Sequence, residues 1–248
     1  MRYFINLAFK GTAYHGWQWQ PNDLSVQQVL QDALQILLKQ TISLFGAGRT
    51  DTGVHASQFF AHFDIEIPLN TDELTHKLNA FLPDTIVIYK IFQVNDSTHA
   101  RFDAINRTYQ YHIFLGRDPF LFETTWQIHQ RQLNVEKMNQ AAKYLLDYSD
   151  FKCFSKSRTD VKTYDCKITE AHWQQKDQEL IFTISANRFL RNMVRAIVGT
   201  LVNIGTGKNE VEDMKSLIES RDRRNAGFSA YAKGLFLTKI DYPNHLFM

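Results

Sequence analysis

GAGRTDTGVHA, running from Gly46 to Ala56, sets three glycines around an Arg-Thr-Asp core within eight residues. Glycine loses more conformational freedom on folding than any other residue. Such a cluster therefore marks backbone dihedrals closed to other residues, or close approach of the chain to something else. The stretch follows the apolar run TISLF and precedes the longer run QFFAHFDIEI, so it reads as a loop between two strands. It is not a dinucleotide fingerprint, because the position of the third glycine is Asp51, whose charge would repel a pyrophosphate. It is not a P-loop either, since no Gly-Lys-Ser/Thr follows.

Outward from the loop, RYFINLAF alternates apolar and polar residues as a strand does. Ser25 has N-cap chemistry with Gln28 three residues on, and Val29, Leu30, Ala33, Leu34, Leu37 and Leu38 follow at helical spacing. A helix over about Thr71 to Ala80 ends before Pro83, and TIVIYKIFQV is a further strand. The second half repeats the pattern loosely. RTYQYHIFL is a strand, Asn134 caps a helix, and YDCKITEAHWQ with ELIFTISA forms a hairpin turning near Gln175 to Gln178. Asn187 is expected to cap a long apolar helix to about Ile204, a short helix covers about Val211 to Glu219, and LFLTKIDY closes the chain as a strand. The order predicts an α+β architecture with a mostly antiparallel sheet and two α/β domains, 1–104 and 105–248.

Length, apolar content of 44% and charge of 22% are ordinary for a globular chain able to bury a core. No run is long enough for a membrane span and the N-terminus is not patterned as a signal peptide, so the cytoplasm is the expected compartment. Cys153 and Cys166 fit no metal-ligand spacing, which agrees with a reducing compartment and argues against a zinc site. Residues 1–104 carry 7 Lys/Arg against 10 Asp/Glu, and residues 105–248 carry 21 against 16, which favours an acidic partner for the second half.

Three features could carry chemistry. The glycine loop presents a cation, Arg49, and a carboxylate, Asp51, two residues apart; alternatively Asp51 only makes turn hydrogen bonds, as Asp commonly does in loops. In NRFLRNMVRAIVGTL, Arg188, Arg191 and Arg195 fall at i, i+3 and i+7, so a helix there would hold three guanidiniums on one face; this is either a solvated face or a phosphate-binding one. Aromatic residues beside basic ones in HARF, RTYQY, FSAYAKGLF and YHGWQWQP suit base stacking, although aromatics in strands are more often core. The nine histidines show no ligand spacing.

Together these stretches resemble the tRNA pseudouridine synthase A family, whose hallmark G-R-T-D-x-G-V-H is present as Gly48 to His55. The resemblance continues through GTAYHGWQ, HARFDA, RTYQY, NRFLRNMVRAIVGTL and AKGLFLTKIDYP, in order along essentially the whole chain. It implies isomerisation of uridine to pseudouridine in the anticodon arm of tRNA, at tRNA positions 38, 39 and 40. It also implies a homodimer, no cofactor or metal, and two pseudo-twofold-related domains forming a continuous, mostly antiparallel sheet with a central RNA-binding cleft. On it, Asp51 matches the catalytic aspartate, Tyr109 the tyrosine stacked on the target uracil and implicated in removing its C5 proton, and Arg195 the arginine paired with the carboxylate. Arg49 matches an arginine that helps extrude the base, and Leu237 an apolar residue near the ring; Arg188 and Arg191 are expected to bind RNA.

These residue types suit the reaction. A carboxylate is a competent nucleophile, and a paired arginine opposes the upward pKa shift that burial under a base would cause. Extruding a stacked uridine costs a few kcal/mol, against which an aromatic platform returns roughly 1–3 kcal/mol. Two positions depart from the family pattern: Trp19 stands where many relatives carry arginine, and Thr52 where alanine is common. The competing readings are a non-catalytic RNA-binding module that uses the arginine face and aromatics, and an Asp/His phosphohydrolase built on Asp51 and His55.

Overall fold

The structure, a computed structural model, describes residues 1–129, 132–156 and 161–246. In chain order its elements are β1 (Arg2–Phe9), α1 (Val26–Leu38), β2 (Phe45–Gly46), β3 (His55–Asp64), α2 (Thr71–Phe81), β4 (Ile86–Val94) and β5 (Asn106–Phe114). There follow β6 (Trp126–Gln127), α3 (Val135–Lys143), β7 (Ile168–Lys176), β8 (Glu179–Ala186), α4 (Met193–Gly205), α5 (Asp213–Ser220) and β9 (Leu235–Asp241). They divide into two compact units, Met1–Asn106 with Phe236–Met248, and Arg107–Leu235. The closing strand, read from the sequence as part of the second domain, thus groups with the first unit.

In the first unit β1 lies between β3 and β4, antiparallel to both. β9 joins β3 in parallel, with His55 opposite Phe236 and Ala56 opposite Leu237. As an inner strand β1 buries Phe4, Ile5, Leu7 and Phe9. In the second unit β8 lies between β5 and β7, antiparallel to both, and β6 adds to β5 in parallel. Both units therefore mix helices with mostly antiparallel strands, the α+β class expected from element order.

Side chains placed before each helix set its start. The Ser25 hydroxyl accepts from the Gln28 amide, Asn70 from that of Glu73 and Asn134 from that of Lys137, each satisfying a donor that the first turn leaves without an intrahelical partner. TISLF departs from expectation, for only Phe45 of it is in a strand. The reason is visible in Leu44, whose N–H donates to Gln31 Oε1 and whose carbonyl accepts from Gln27 Nε2. Two glutamines of α1 satisfy a backbone that a strand ladder would otherwise pair.

The arginine helix also starts later than expected. Asn187 does not cap it: its Oδ1 accepts from the Lys167 amide at 2.7 Å and its carbonyl from Arg107 Nη1, closing the end of the β7–β8 hairpin. α4 begins at Met193 after Asn192, which adopts a left-handed φ of 65° and offers no side-chain cap. Residues 187–192 are consequently loop, and Arg188 and Arg191 share no helix face with Arg195. The helix itself is buried almost all round, 11 of its 13 residues being inaccessible, so no solvated arginine face exists on it.

A titratable residue lies inside the first unit. His62 of β3 is buried, accepts from the Ala100 amide through Nδ1, and meets the rings of Phe45 and His99 at 5.2 and 4.5 Å. Burial, with Arg2 and His99 adding to it and Asp64 and Asp103 opposing it, pulls its pKa down to about 4. His62 is therefore neutral in the folded state where the unfolded chain already takes up a proton. Stability falls as pH drops from 6.5 towards 4. Urea unfolding of His62→Gln at pH 7 and pH 5 is expected to show a smaller loss than in the natural chain; an equal loss would remove His62 as its source.

Candidate active site

The glycine loop of the first unit is held by a second segment, Gly11 to Trp17. The Trp17 amide donates to the Thr50 hydroxyl at 3.0 Å, the Gly53 amide to the Tyr14 carbonyl at 3.2 Å, and the Gly11 amide to His55 Nδ1 at 3.0 Å. The segment is fixed in turn by α1, whose Val26 and Gln27 amides donate to the carbonyls of Gly16 and Trp17. Helix N-terminal donors that need partners thus pin the clamp that pins the loop.

This clamp explains most of the glycines. A methyl group on Gly11 would lie 1.9 Å from the Val54 carbonyl oxygen, and one on Gly16, at φ 85°, 2.2 Å from that of Thr50. On Gly46 it would lie 2.2 Å from Trp17 Nε1, so the indole packs directly on the loop backbone. Gly53 takes a φ of 78°, and the Val54 amide donates to the Asp51 carbonyl across that turn. Gly48 differs: nothing lies within 4 Å of where its Cβ would be. Of the loop's three glycines, two answer to the protein's own packing or backbone and one borders open space.

Arg49 is exposed and Asp51 half-buried in this loop. His55 is a packing residue, 1% exposed and stacked on Phe236 at 4.5 Å, which gives the phosphohydrolase reading no accessible imidazole. Tyr14 and Trp17 are also buried, so YHGWQWQP supplies structure rather than stacking platforms; of its aromatics only Trp19, 51% exposed, reaches solvent. Thr52, the other departure from the family pattern, is exposed. Leu237 is buried beside the loop's exit strand, in register with Ala56.

The second unit holds the remaining candidates. Tyr109 is half-buried on β5 with its ring edge-on to Phe189 at 5.2 Å. Arg195, in the first turn of α4, donates from Nε to the Ala230 carbonyl at 2.7 Å, and the Ala230 amide donates back to the Arg195 carbonyl at 2.9 Å. Arg188 is half-buried and Arg191 exposed, both in the loop before α4. Tyr111, two residues after Tyr109, is fully buried and donates to the Tyr231 carbonyl; burial pushes its pKa up, so it stays a hydroxyl donor. Alternation alone does not separate Tyr111 from Tyr109, since alternate strand residues share a face; only the family resemblance singles out Tyr109. Arg49, Asp51 and Leu237 thus belong to the first unit, and Tyr109, Arg188, Arg191 and Arg195 to the second.

A family described as tRNA pseudouridine synthase matches residues 141–243. A tRNA pseudouridine synthase A of Bacteroides fragilis is 51% identical, over 99% of this chain and 98% of its own length. One from Porphyromonas gingivalis is 49% identical over 100% and 99%, and one from Bacillus licheniformis 37% identical over 98% and 100%. A solved Cbf5-Nop10-Gar1 complex overlays at a TM-score of 0.37 and 10% identity, covering 94% of this chain and 57% of that one, too slight a likeness to bear on the fold.

Gly46 and Gly48, two residues apart, should respond differently to one added methyl group. Gly46→Ala must displace the Trp17 indole and is expected to lower stability by about 1–3 kcal/mol. Gly48→Ala should stay within about 0.5 kcal/mol of the natural chain. Urea midpoints in the reverse order would contradict the clamp.

Proposed function

Because the chain belongs to the tRNA pseudouridine synthase A family, we propose that it isomerises uridine to pseudouridine in the anticodon arm of tRNA, at tRNA positions 38, 39 and 40, with Asp51 as nucleophile. The observation that carries this reading is near-50% identity over the full chain to synthases of that name, joined to a Gly48–His55 loop that a dedicated clamp holds in place. The C1′–N1 bond breaks, the uracil turns, C1′ bonds to C5, and the C5 proton is lost while N1 gains one. The reaction neither oxidises nor hydrolyses, so side chains alone suffice and no cofactor is called for.

In this reading the Asp51 carboxylate supplies the attacking electron pair and Arg195 is the cation that keeps it ionised. Tyr109 stacks on the uracil, and its hydroxyl takes the C5 proton. Arg49 holds the extruded nucleotide, Leu237 closes the apolar side of the ring, and Arg188 and Arg191 engage phosphates from the loop before α4. The open space beside Gly48 suits close approach by a nucleotide. Asp51, Arg49 and Leu237 come from the first unit, and Tyr109, Arg188, Arg191 and Arg195 from the second. The protein works as a homodimer on tRNA in the cytoplasm; among the described residues no helix is long and apolar enough to cross a membrane. The non-catalytic RNA-binding reading is dropped, since the full-length relatives are named as synthases.

Incubation with unmodified tRNA, followed by carbodiimide adduct formation and primer extension, should give stops at positions 38 to 40 and nowhere else. Stops confined to another arm would contradict the assignment. Tyr109→Phe keeps the stacking ring but removes the hydroxyl, and turnover should fall by about 100-fold or more with tRNA affinity within twofold. Unchanged turnover would rule the hydroxyl out as the base.

A further inference from the structure

The segment Ala226 to Tyr231 runs against α4 and is tied down at nearly every residue. Gly199 of α4 makes this approach possible, since a methyl group there would lie 1.8 Å from the Phe228 carbonyl oxygen. Gly227 does so from the other side, at 2.7 Å from the Thr200 amide nitrogen, and its own amide donates to the Thr200 hydroxyl. The Ser229 hydroxyl accepts from Asn192 Nδ2 at 2.7 Å, Ala230 exchanges two hydrogen bonds with Arg195, and the Tyr231 carbonyl accepts from Tyr111. One side chain outside α4 holds three of these residues. Arg223 donates from Nη1 to the carbonyls of Ala226 and Gly227 at 3.4 and 3.0 Å, and from Nη2 to the Ser229 hydroxyl at 3.1 Å.

A guanidinium is a planar fork, so fixing its Nε direction fixes where its Nη donors point. Ala230 fixes that direction for Arg195, and Ala230 is placed by its neighbour Ser229, which Arg223 and Asn192 grip together. We propose that Arg223 is a positioning residue for Arg195: through the 226–231 strap it sets the plane of the Arg195 guanidinium and so its aim at the reacting groups. The neighbouring Arg221 and Arg224 serve otherwise, pairing with Asp150 and Asp222 at 2.8 and 2.5 Å. Arg223 directs its donors to carbonyls and a hydroxyl instead. This inference rests on the reading of Arg195 as the carboxylate's partner, and it adds a residue that neither spacing nor the family resemblance singled out.

The test is a double-mutant cycle of Arg223→Gln and Arg195→Gln, read as single-turnover rate and tRNA affinity. Arg223→Gln should slow turnover by about 10- to 100-fold, the scale of a misplaced catalytic group, with tRNA affinity within twofold. The double variant should then be no slower than Arg195→Gln alone. Independent, multiplying losses, or an unimpaired Arg223→Gln, would overturn the proposal. Natural turnover in Arg195→Gln would instead overturn the underlying reading of Arg195, a distinct result. Should Arg223→Gln fail to fold, Ser229→Ala removes the group that Arg223 and Asn192 share, and the same cycle with Arg195→Gln applies.

Discussion

The seat of Trp17 on Gly46 is the constraint from which the placement of the glycine loop follows. The indole lies against the loop backbone and also packs 4.2 Å from the Phe59 ring, so the loop is anchored to the core of its own sheet. From the same residue the amide reaches Thr50 and the carbonyl receives the Gln27 amide at the start of α1. A loop that holds Asp51 in one place cannot rely on its own glycines for rigidity, because glycine is the most flexible residue. Rigidity comes from elsewhere: a buried aromatic, a helix terminus with amides to satisfy, and two glycines in the partner segment that let the two backbones touch.

The second unit holds one cation, Arg195, by similar means. A long arginine side chain has many rotamers, and a charge that wanders is a poor electrostatic partner. Here α4 is a buried platform, and the chain segment laid across it takes the Nε donor of Arg195 by a backbone carbonyl. The glycines at 199 and 227 serve the same end as those at 11 and 16, allowing main chain to meet main chain closely enough for hydrogen bonds to set direction. Both units thus clamp the backbone beside one charged residue, Asp51 in the first and Arg195 in the second.

Much of this was legible in the residues, and the exceptions share one cause. Caps at Ser25 and Asn134, the alternation of β1 and the hairpin turn near Asp177 depend on neighbours in sequence, and the structure agrees with them. The start of α4 was misplaced because Asn187 has the chemistry of a cap and is used instead by Lys167, twenty residues away. TISLF is apolar enough for a strand, yet glutamine side chains take its backbone. The return of β9 to the first unit rests on a parallel pairing with β3, which no local pattern announces. For the candidate site, the Gly48–His55 loop stands out in the sequence, whereas its clamp reads there as stacking aromatics and in the structure Tyr14 and Trp17 are buried. Residues acting through tertiary hydrogen bonds leave no periodicity to read.

In the proposed reaction the Asp51 carboxylate meets a uridine taken out of its helix. A carboxylate gains little from facing RNA phosphates, which repel it, and this is why its proposed role is reaction rather than binding. The most direct measurement follows tritium release from tRNA labelled at C5 of uridine, for the natural chain and Asp51→Asn, with tRNA binding recorded for both. The account predicts release by the natural chain, none by Asp51→Asn, and binding preserved or strengthened in the variant. Release at the natural rate from Asp51→Asn would contradict it.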